Sequence, residues 1–172
     1  MVEIATIIKF VDEHPGAIVE LTGGEPLLQE NVYPLITELV TKGIRVLIET
    51  NGSISIARVP GEVCAIIDIK CPGSGVENPI LRENIAHLQK RSQNAAHSSE
   101  IKFVISDQND YHWAKQFIHK HELTEIAPII FSAVTSAIKP RQLAEMILAD
   151  QLPVRLQVQL HTILWPGENR GV

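Results

Sequence analysis

A glycine pair beside an acidic residue follows the first apolar run of the chain, in the segment Thr22-Gly23-Gly24-Glu25-Pro26. Adjacent glycines let the backbone adopt positive φ and come close to a ligand, and their N–H groups can hold a carboxylate or a phosphate. The Glu25 carboxylate is an acceptor for an amine or a hydroxyl, and Pro26 fixes the direction in which the chain leaves. The pattern predicts a strand-to-helix turn that binds a ligand, although a ligand-free turn of an α/β protein also uses glycines in this way.

Polar side chains that could bind a small molecule also follow the later apolar runs. Carboxylates suit amines and ribose hydroxyls, a lysine suits a carboxylate, and amides suit the edge of a flat heterocycle. A second glycine-rich turn follows the third apolar run, at 71–75. The polar residues are Glu49, Thr50, Asn51, Asp68, Lys70, Ser132, Gln157, Gln159 and His161, with Lys102 one step inside its strand.

The apolar runs that precede these residues alternate about five times with stretches of helical periodicity. The predicted strands are 17–21, 44–48, 65–70, 101–105, 128–131 and 154–159, and the predicted helices are 2–14, 31–42, 79–91, 109–121 and 140–150. Strands this apolar predict a parallel sheet covered by helices, either an open sheet or a partial barrel. Because the carboxyl ends of parallel strands form the working face of such folds, we expect the polar residues to gather there.

Composition limits the classes of function. The chain has 172 residues, 45% of them hydrophobic and 20% charged, which suits one domain with a sizeable core. A net charge of −5 argues against nucleic-acid binding by a basic surface. No apolar run reaches the ~18 residues that span a bilayer, and no secretory leader is visible at the amino terminus, so we expect a cytoplasmic protein without membrane partners.

The two cysteines, Cys64 and Cys71, form neither a disulfide framework nor, by themselves, a zinc or iron–sulfur site. Cys64 is interpreted as a small hydrophobic core residue. Trp113 and Phe117 lie at i and i+4 of a predicted helix, and this spacing favours core packing over a cofactor-binding box.

The turn at 22–26 resembles the motif with which radical S-adenosylmethionine enzymes hold the amino group of the cofactor's methionine. More narrowly, nearly the whole chain resembles the 7-carboxy-7-deazaguanine synthase family. The glycine motif alone marks the superfamily, whereas its combination with the later segments specifies the family. Those segments are Glu49-Thr50-Asn51-Gly52, 68–75, 102–105, 154–161, Trp165-Pro166 and Arg170-Gly171-Val172.

The resemblance implies a partial, incomplete TIM-like barrel of parallel strands with helices on the outside, forming a homodimer. It also implies a lyase of 7-deazapurine biosynthesis, which converts 6-carboxy-5,6,7,8-tetrahydropterin to 7-carboxy-7-deazaguanine with loss of ammonia. In the family a [4Fe–4S] cluster cleaves S-adenosylmethionine to a 5′-deoxyadenosyl radical that abstracts a substrate hydrogen, and Mg²⁺ assists.

Carried over by position, the resemblance assigns two sets of binding residues, and no catalytic or metal-binding residue. Thr162 stands where relatives often carry lysine. The S-adenosylmethionine set is Gly23, Gly24, Glu25, Asp68, Ile69, Lys70, Phe131, Ser132, Ala133 and Val134. The substrate set is Thr22, Glu49, Gln159, His161 and Val172, the last through its terminal carboxylate.

The largest departure from the family is the absence of its cluster ligands, three cysteines in a CxxxCxxC-type motif upstream of the glycine turn. No cysteine precedes Thr22 in this chain. The first strand, the cluster loop and the expected Mg²⁺ ligand of the family are also missing. The sequence therefore predicts a single radical-enzyme-like domain, 1–172, with an unpaired sheet edge beside 17–21 and no production of a deoxyadenosyl radical by itself.

Two other classes of function remain open. A cluster-less module could retain a pterin or nucleoside pocket for binding alone. A different radical enzyme, such as an activase acting on a glycyl-radical protein, would share the glycine motif. The terminus at Val172 argues against the activase, because its carboxylate has no assigned task there.

Overall fold

The computed structural model describes residues 2–94 and 98–165, without the side chains at 161 and 162. Strands and helices alternate along the chain, and short 3₁₀ helices lie in several loops. The strands are β1 (Val19–Leu21), β2 (Val46–Thr50), β3 (Cys64–Ile69), β4 (Ser99–Ile105), β5 (Ile129–Ala133) and β6 (Val154–Gln157). The helices are α1 (Ile4–Asp12), α2 (Val32–Thr41), α3 (Arg82–Ser92), α4 (Gln108–Lys120), α5 (Pro140–Ala149) and α6 (His161–Leu164).

The strand order is β1-β2-β3-β4-β5-β6, the same as the order along the chain. The pairs β1–β2, β2–β3, β4–β5 and β5–β6 are parallel. A doubly wound sheet reverses its direction of growth at a switch point, whereas a TIM-type barrel adds every strand on the same side. The α/β class with partial, TIM-like winding is therefore confirmed.

The chain divides into two compact units. The first unit comprises residues 1–68 and 80–100, and the second comprises 69–79 and 101–172. The interpretation of 1–172 as a single domain stays a proposal. No helix among residues 2–94 and 98–165 is long and apolar enough to cross a membrane.

In the first unit, the burial pattern of β2 shows which face of the sheet is buried. Val46, Ile48 and Thr50 are buried, whereas Leu47 and Glu49 are half-buried. β3 is buried along its whole length, as the apolar sequence predicts for a parallel strand. The predicted second strand ended at Ile48, but the structure extends it through Thr50, so Glu49 belongs to the strand and not to the loop after it.

Two buried polar side chains hold the loops of the first unit. The Asn84 amide donates to the carbonyl oxygens of Gly52 and Ile54 and accepts from the Ile56 N–H, at 2.9 Å each. The Arg91 guanidinium, 7% exposed, donates to carbonyl oxygens in the 59–63 loop. Burial lowers the pKa of Arg91 from its ordinary value, and the carbonyl dipoles compensate part of the lost hydration.

The Glu25 carboxylate joins the glycine turn to the end of β2. Its Oε1 accepts from the Thr50 hydroxyl at 2.8 Å and from the Leu27 N–H at 3.1 Å. Its Oε2 accepts from the Asn51 N–H at 2.8 Å. The Thr50 hydroxyl oxygen also accepts from the Gly52 N–H, so one hydrogen-bond network spans the loops after β1 and β2. This network fixes the geometry of the first unit's carboxyl edge.

In the second unit, aromatic side chains pack helix α4 against one face of the strands. Phe103 on β4 makes edge contacts with Trp113, Phe117 and Phe131, with ring centroids 5.8 to 6.4 Å apart. Trp113 and Phe117 stack on each other at 4.9 Å. Their predicted role in core packing is therefore confirmed.

A carboxylate at the end of α5 anchors α4 in the second unit. Asp150 Oδ2 accepts from the Tyr111 hydroxyl at 2.8 Å and lies 2.9 Å from Lys115 Nζ. These two donors, Lys115 first, hold the pKa of Asp150 below its usual value. Burial, together with the hydrogen bond to Asp150, raises the pKa of Tyr111.

One local prediction about a helix start is wrong. Pro79 was expected in the first turn of the third helix, but α3 begins at Arg82 with Leu81 as its N-cap. The Lys70 N–H donates to the Pro79 carbonyl oxygen and the Leu81 N–H donates to the Gly52 carbonyl oxygen. These bonds hold the residues before Arg82 outside the helix.

We predict that the Asp150 contacts stabilise the fold at neutral pH and lose this effect in acid. Because the folded pKa is depressed, the contribution is complete above the unfolded pKa of about 3.9 and disappears as pH falls through the lower folded value. Thermal unfolding of wild type and Asp150→Asn from pH 7 to pH 2.5 should show a Tm difference at neutral pH that vanishes in acid. Glu77→Gln, at an exposed position of the same unit, is the matched control. A constant Tm difference across this range would contradict the prediction.

We predict that Glu25→Ala destabilises the protein by about 1–3 kcal/mol, because several donors lose their acceptor together. Urea unfolding measures the free energy, and amide hydrogen exchange at Asn51 reports the local effect. The control Glu38→Ala removes an exposed carboxylate from α2 and should change neither quantity appreciably. Unchanged exchange at Asn51 in Glu25→Ala would show that the network does not hold this loop.

Candidate functional site

The glycine turn is open in the way that close approach of a ligand requires. Gly23 and Gly24 have φ angles of +88° and +56°, and no atom lies within 4 Å of a Cβ built on either one. Side chains at these two positions would be strained, so glycine is needed for the conformation itself. Both glycines and the neighbouring Thr22 are exposed at the carboxyl end of β1.

Glu25 differs from the glycines, because its carboxylate already accepts hydrogen bonds from Thr50, Asn51 and Leu27. The sequence predicts that the Glu25 carboxylate accepts a hydrogen bond from an amine or a hydroxyl. In this structure, the hydroxyl that donates to it is that of Thr50. Its contact with a cofactor stays a prediction. In the structure, Glu25 positions the turn.

Glu49 and Asp68 lie on the same face of the first unit's strands. Glu49 pairs in register with Ile66, and Asp68 lies two residues beyond Ile66 on β3. Because side chains alternate between faces, both carboxylates point away from the face that buries Thr50. Glu49 is half-buried and Asp68 is 8% exposed. Such a pair of carboxylates suits amine or hydroxyl groups of a polar ligand.

In the second unit, the strand register shows that the polar candidate binding residues lie on one face of the strands and the apolar ones on the other. Val104, Ser132 and Gln157 are aligned on adjacent strands and therefore share one face. Lys102 lies two residues before Val104 and is therefore on this face too. The second unit therefore has a face that carries an amine, a hydroxyl and an amide.

Several residues predicted to contact the cofactor turn their side chains into the core. Phe131 and Ala133 lie on the opposite face from Ser132, and the Phe131 ring packs against Phe103 and Tyr111. Ile69 is completely buried, whereas Lys70 and Val134 are half-buried. For Ile69, Phe131 and Ala133, a cofactor contact would therefore be made by the backbone.

The turn after β3 contains a polar contact that sequence reasoning missed. Asp110, in the first turn of α4, accepts from the Gly73 N–H at 2.8 Å and from the Ser106 N–H at 3.1 Å. The Ser106 hydroxyl also donates to this carboxylate. At the N-terminus of α4, Asp107 accepts from the Asp110 N–H. No local signal links Asp110 to Gly73, 37 positions away.

The remaining substrate candidates lie at the end of the chain. Gln159 is half-buried, two residues after β6. His161 begins the short helix α6, and its side chain is not among those that the structure describes. Val172 lies outside the described residues. Their roles in substrate binding stay predictions.

A groove of about 630 Å³ lies beside β1 in the first unit. Apolar residues of α1 and α2 and the β1 residues Glu20 and Leu21 line it, together with Thr22. Within the described residues, β1 forms its ladder with β2 alone. The predicted free sheet edge is therefore present among the residues described, with space beside it.

The cysteines do not fit a [4Fe–4S] cluster held by three thiolates. Cys64 is the first residue of β3, and Cys71 lies just after its last residue. At about 3.3 Å per residue, an extended strand separates them by roughly 20 Å. Across the parts of the chain that the structure describes, no three His, Cys, Asp or Glu side chains form a metal-binding group. Cys64 is buried, and its interpretation as a small core residue is confirmed.

Comparison with known proteins gives consistent relatives. The chain is 41% identical to the 7-carboxy-7-deazaguanine synthase of Koribacter versatilis, covering 92% of this chain and 73% of the relative. It is 43% identical to the enzyme of the same name from Chlorobaculum tepidum, covering 90% of this chain and 68% of the relative. No protein-family model matches the chain.

Solved structures show a similar fold. QueE from Escherichia coli superposes with a TM-score of 0.67 at 19% identity, covering 90% of this chain and 61% of that one. SuiB from Streptococcus suis gives a TM-score of 0.62 at 14% identity, covering 97% of this chain and 45% of that one. At these identities the structural likeness supports the fold alone. The identities to the curated relatives, with the shares covered, carry the assignment: the chain belongs to the 7-carboxy-7-deazaguanine synthase family of enzymes.

Proposed function

We propose that this chain provides the S-adenosylmethionine- and pterin-binding part of a 7-carboxy-7-deazaguanine synthase in 7-deazaguanine and queuosine biosynthesis. The observation that carries the proposal is the open glycine turn at Gly23 and Gly24, where a ligand can approach the backbone closely. It lies in the same unit as the carboxylates of Glu49 and Asp68, which are suited to amines and hydroxyls.

Each candidate residue has a chemical task in this proposal. The N–H and carbonyl groups around Gly24 would hold the methionine end of S-adenosylmethionine, and Asp68 would accept from its ribose hydroxyls. Thr22 and Glu49 would bind amine and amide groups of the pterin. S-adenosylmethionine, when bound, would be the source of the deoxyadenosyl group.

The cluster is the part of the family's chemistry that this chain does not accommodate. Its two cysteines are too few and lie at opposite ends of β3, so these residues support no step through a cluster. We therefore infer that the chain binds ligands but makes no radical by itself.

The groove beside β1 supports the proposal that a further parallel strand belongs there. β1 is only three residues long and pairs with β2 alone within the described residues. The half-buried residues Ile4, Ile7 and Leu21 line the groove, and the curated relatives are longer than this chain. A strand carrying the cluster cysteines on its following loop would cover the edge and complete the family's machinery.

A binding module without catalysis is the second candidate, and the missing cluster ligands favour it. A glycyl-radical activase has no comparable observation in its favour. The homodimer, the cytoplasmic location and the lack of nucleic-acid partners stay predictions. Binding and catalysis therefore need separate experiments.

For binding, we expect the isolated chain to bind both S-adenosylmethionine and 6-carboxy-5,6,7,8-tetrahydropterin in calorimetric titrations. Glu49→Gln should weaken pterin binding about tenfold, by removing a charged acceptor, and leave S-adenosylmethionine binding unchanged. Glu38→Gln, an exposed site on α2, serves as control. Absence of binding by both ligands would overturn the proposal.

For catalysis, we expect no 5′-deoxyadenosine after anaerobic iron–sulfur reconstitution of this chain with S-adenosylmethionine and reductant. The reason is the lack of three cysteine ligands. The Koribacter versatilis relative, treated identically, is the positive control for the chromatographic assay. Product formed by this chain at the rate of the control would refute the inference.

A further inference from the structure

The turn at Cys71–Gly75 is built around one buried carboxylate. Asp110 is 2% exposed, and both of its oxygens accept hydrogen bonds, Oδ1 from Gly73 and Oδ2 from Ser106. A buried carboxylate that accepts several hydrogen bonds is costly to leave unsatisfied, so each of these bonds constrains its donor. Gly73, Ser106 and Asp110 all belong to the second unit.

The fit at Gly73 is so close that a side chain there would displace the Asp110 and Ser106 side chains. A Cβ at this position would lie 2.6 Å from Asp110 Oδ2 and 2.6 Å from Ser106 Oγ. The φ angle of Gly73 is outside the left-handed region, unlike that of Gly75, so glycine is required at 73 for space and not for backbone conformation. The backbone of the turn at Gly73 therefore packs directly against the side chains of Asp110 and Ser106.

Hydrogen bonds within the Cys71–Gly75 turn also stabilise its conformation. The Ser74 hydroxyl donates to the Cys71 carbonyl oxygen at 2.6 Å, and the Val76 N–H donates to the Ser74 hydroxyl at 3.3 Å. The Ser74 and Gly75 N–H groups donate to the carbonyl oxygens of Cys71 and Pro72. Asp110 is thus the link between an internally ordered turn and helix α4.

We propose that Asp110 is a positioning residue that fixes the Cys71–Gly75 turn and, through it, the end of β3 at Ile69 and Lys70. Asp110 touches no ligand in this role. The consequence for the cofactor rests on the proposed function, together with the family resemblance that assigns Ile69 and Lys70 to S-adenosylmethionine. Pterin binding, assigned to Thr22 and Glu49 of the first unit, does not depend on the turn.

Asp110→Asn tests this role, because its amide would present donors to Ser106 in place of an acceptor. Gly73→Ala breaks the same contact from the other side and keeps the Asp110 charge. Asp107→Asn is the matched control, since it removes a neighbouring charge while asparagine still caps the helix. Circular dichroism checks that each variant is folded, and Gly73→Ala decides the question if Asp110→Asn is not.

We expect exchange of the backbone amide of residue 73, measured by NMR, to quicken about tenfold in both variants and to stay unchanged in the control. We expect the Kd for S-adenosylmethionine to rise about tenfold and the Kd for the pterin to stay the same. A general loss of stability would weaken both ligands, so this split is specific to a positioning role.

Unchanged exchange at Gly73 would overturn the role of Asp110 in holding the turn. Faster exchange with unchanged S-adenosylmethionine affinity would overturn its extension to the cofactor, as would equal weakening of both ligands. If the wild-type chain binds neither ligand, the proposed function fails, and the exchange measurement alone decides whether Asp110 holds the turn.

Discussion

Glu25 accepts hydrogen bonds from Thr50, Asn51 and Leu27, and the first unit's carboxyl edge depends on these contacts. Parallel strands bring their carboxyl ends to one edge, but they leave the loops after them free to take many conformations. A carboxylate shared between two loops removes that freedom. It holds the glycine turn beside the end of β2, so Gly23 and Gly24 can present their backbone to a ligand in a fixed direction.

In the second unit, Asp110 holds a loop in the same way. This carboxylate also accepts backbone N–H groups and one hydroxyl, here from Gly73 and Ser106. In both units, an acidic residue near a strand end holds a loop. In the first unit, the proposed ligand contacts fall instead to the glycines of the turn and to the carboxylates of Glu49 and Asp68. Acidic residues at a sheet edge therefore divide into those that shape loops and those suited to ligands, and hydrogen bonds to loop backbone identify the first kind.

Membership of the family and the ability to hold an iron–sulfur cluster are separate questions. The first depends on sequence identity, and the second on the cysteine ligands that the chain provides. Identity to the curated relatives extends over about nine-tenths of this chain, so the shared sequence includes the parallel sheet and its glycine turns. A cluster needs three thiolates gathered on one loop, and β3 keeps Cys64 and Cys71 at opposite ends. Within the described residues, β1 pairs with β2 alone, and the groove lies beside this edge of the sheet.

The sequence by itself determined the alternation of strands and helices, the glycine turn and the family, because periodicity and motifs depend on residues close together in the chain. It also predicted that polar groups follow the strands. Tertiary structure decided which of them hold loops and which face they occupy. Thr50 turns toward Glu25 while Glu49 faces the other way, and Asp110 reaches Gly73 across 37 positions. It also placed Pro79 before α3 and not within it. These outcomes depend on strand register and on which loops meet at the sheet edge, and no local pattern encodes either one.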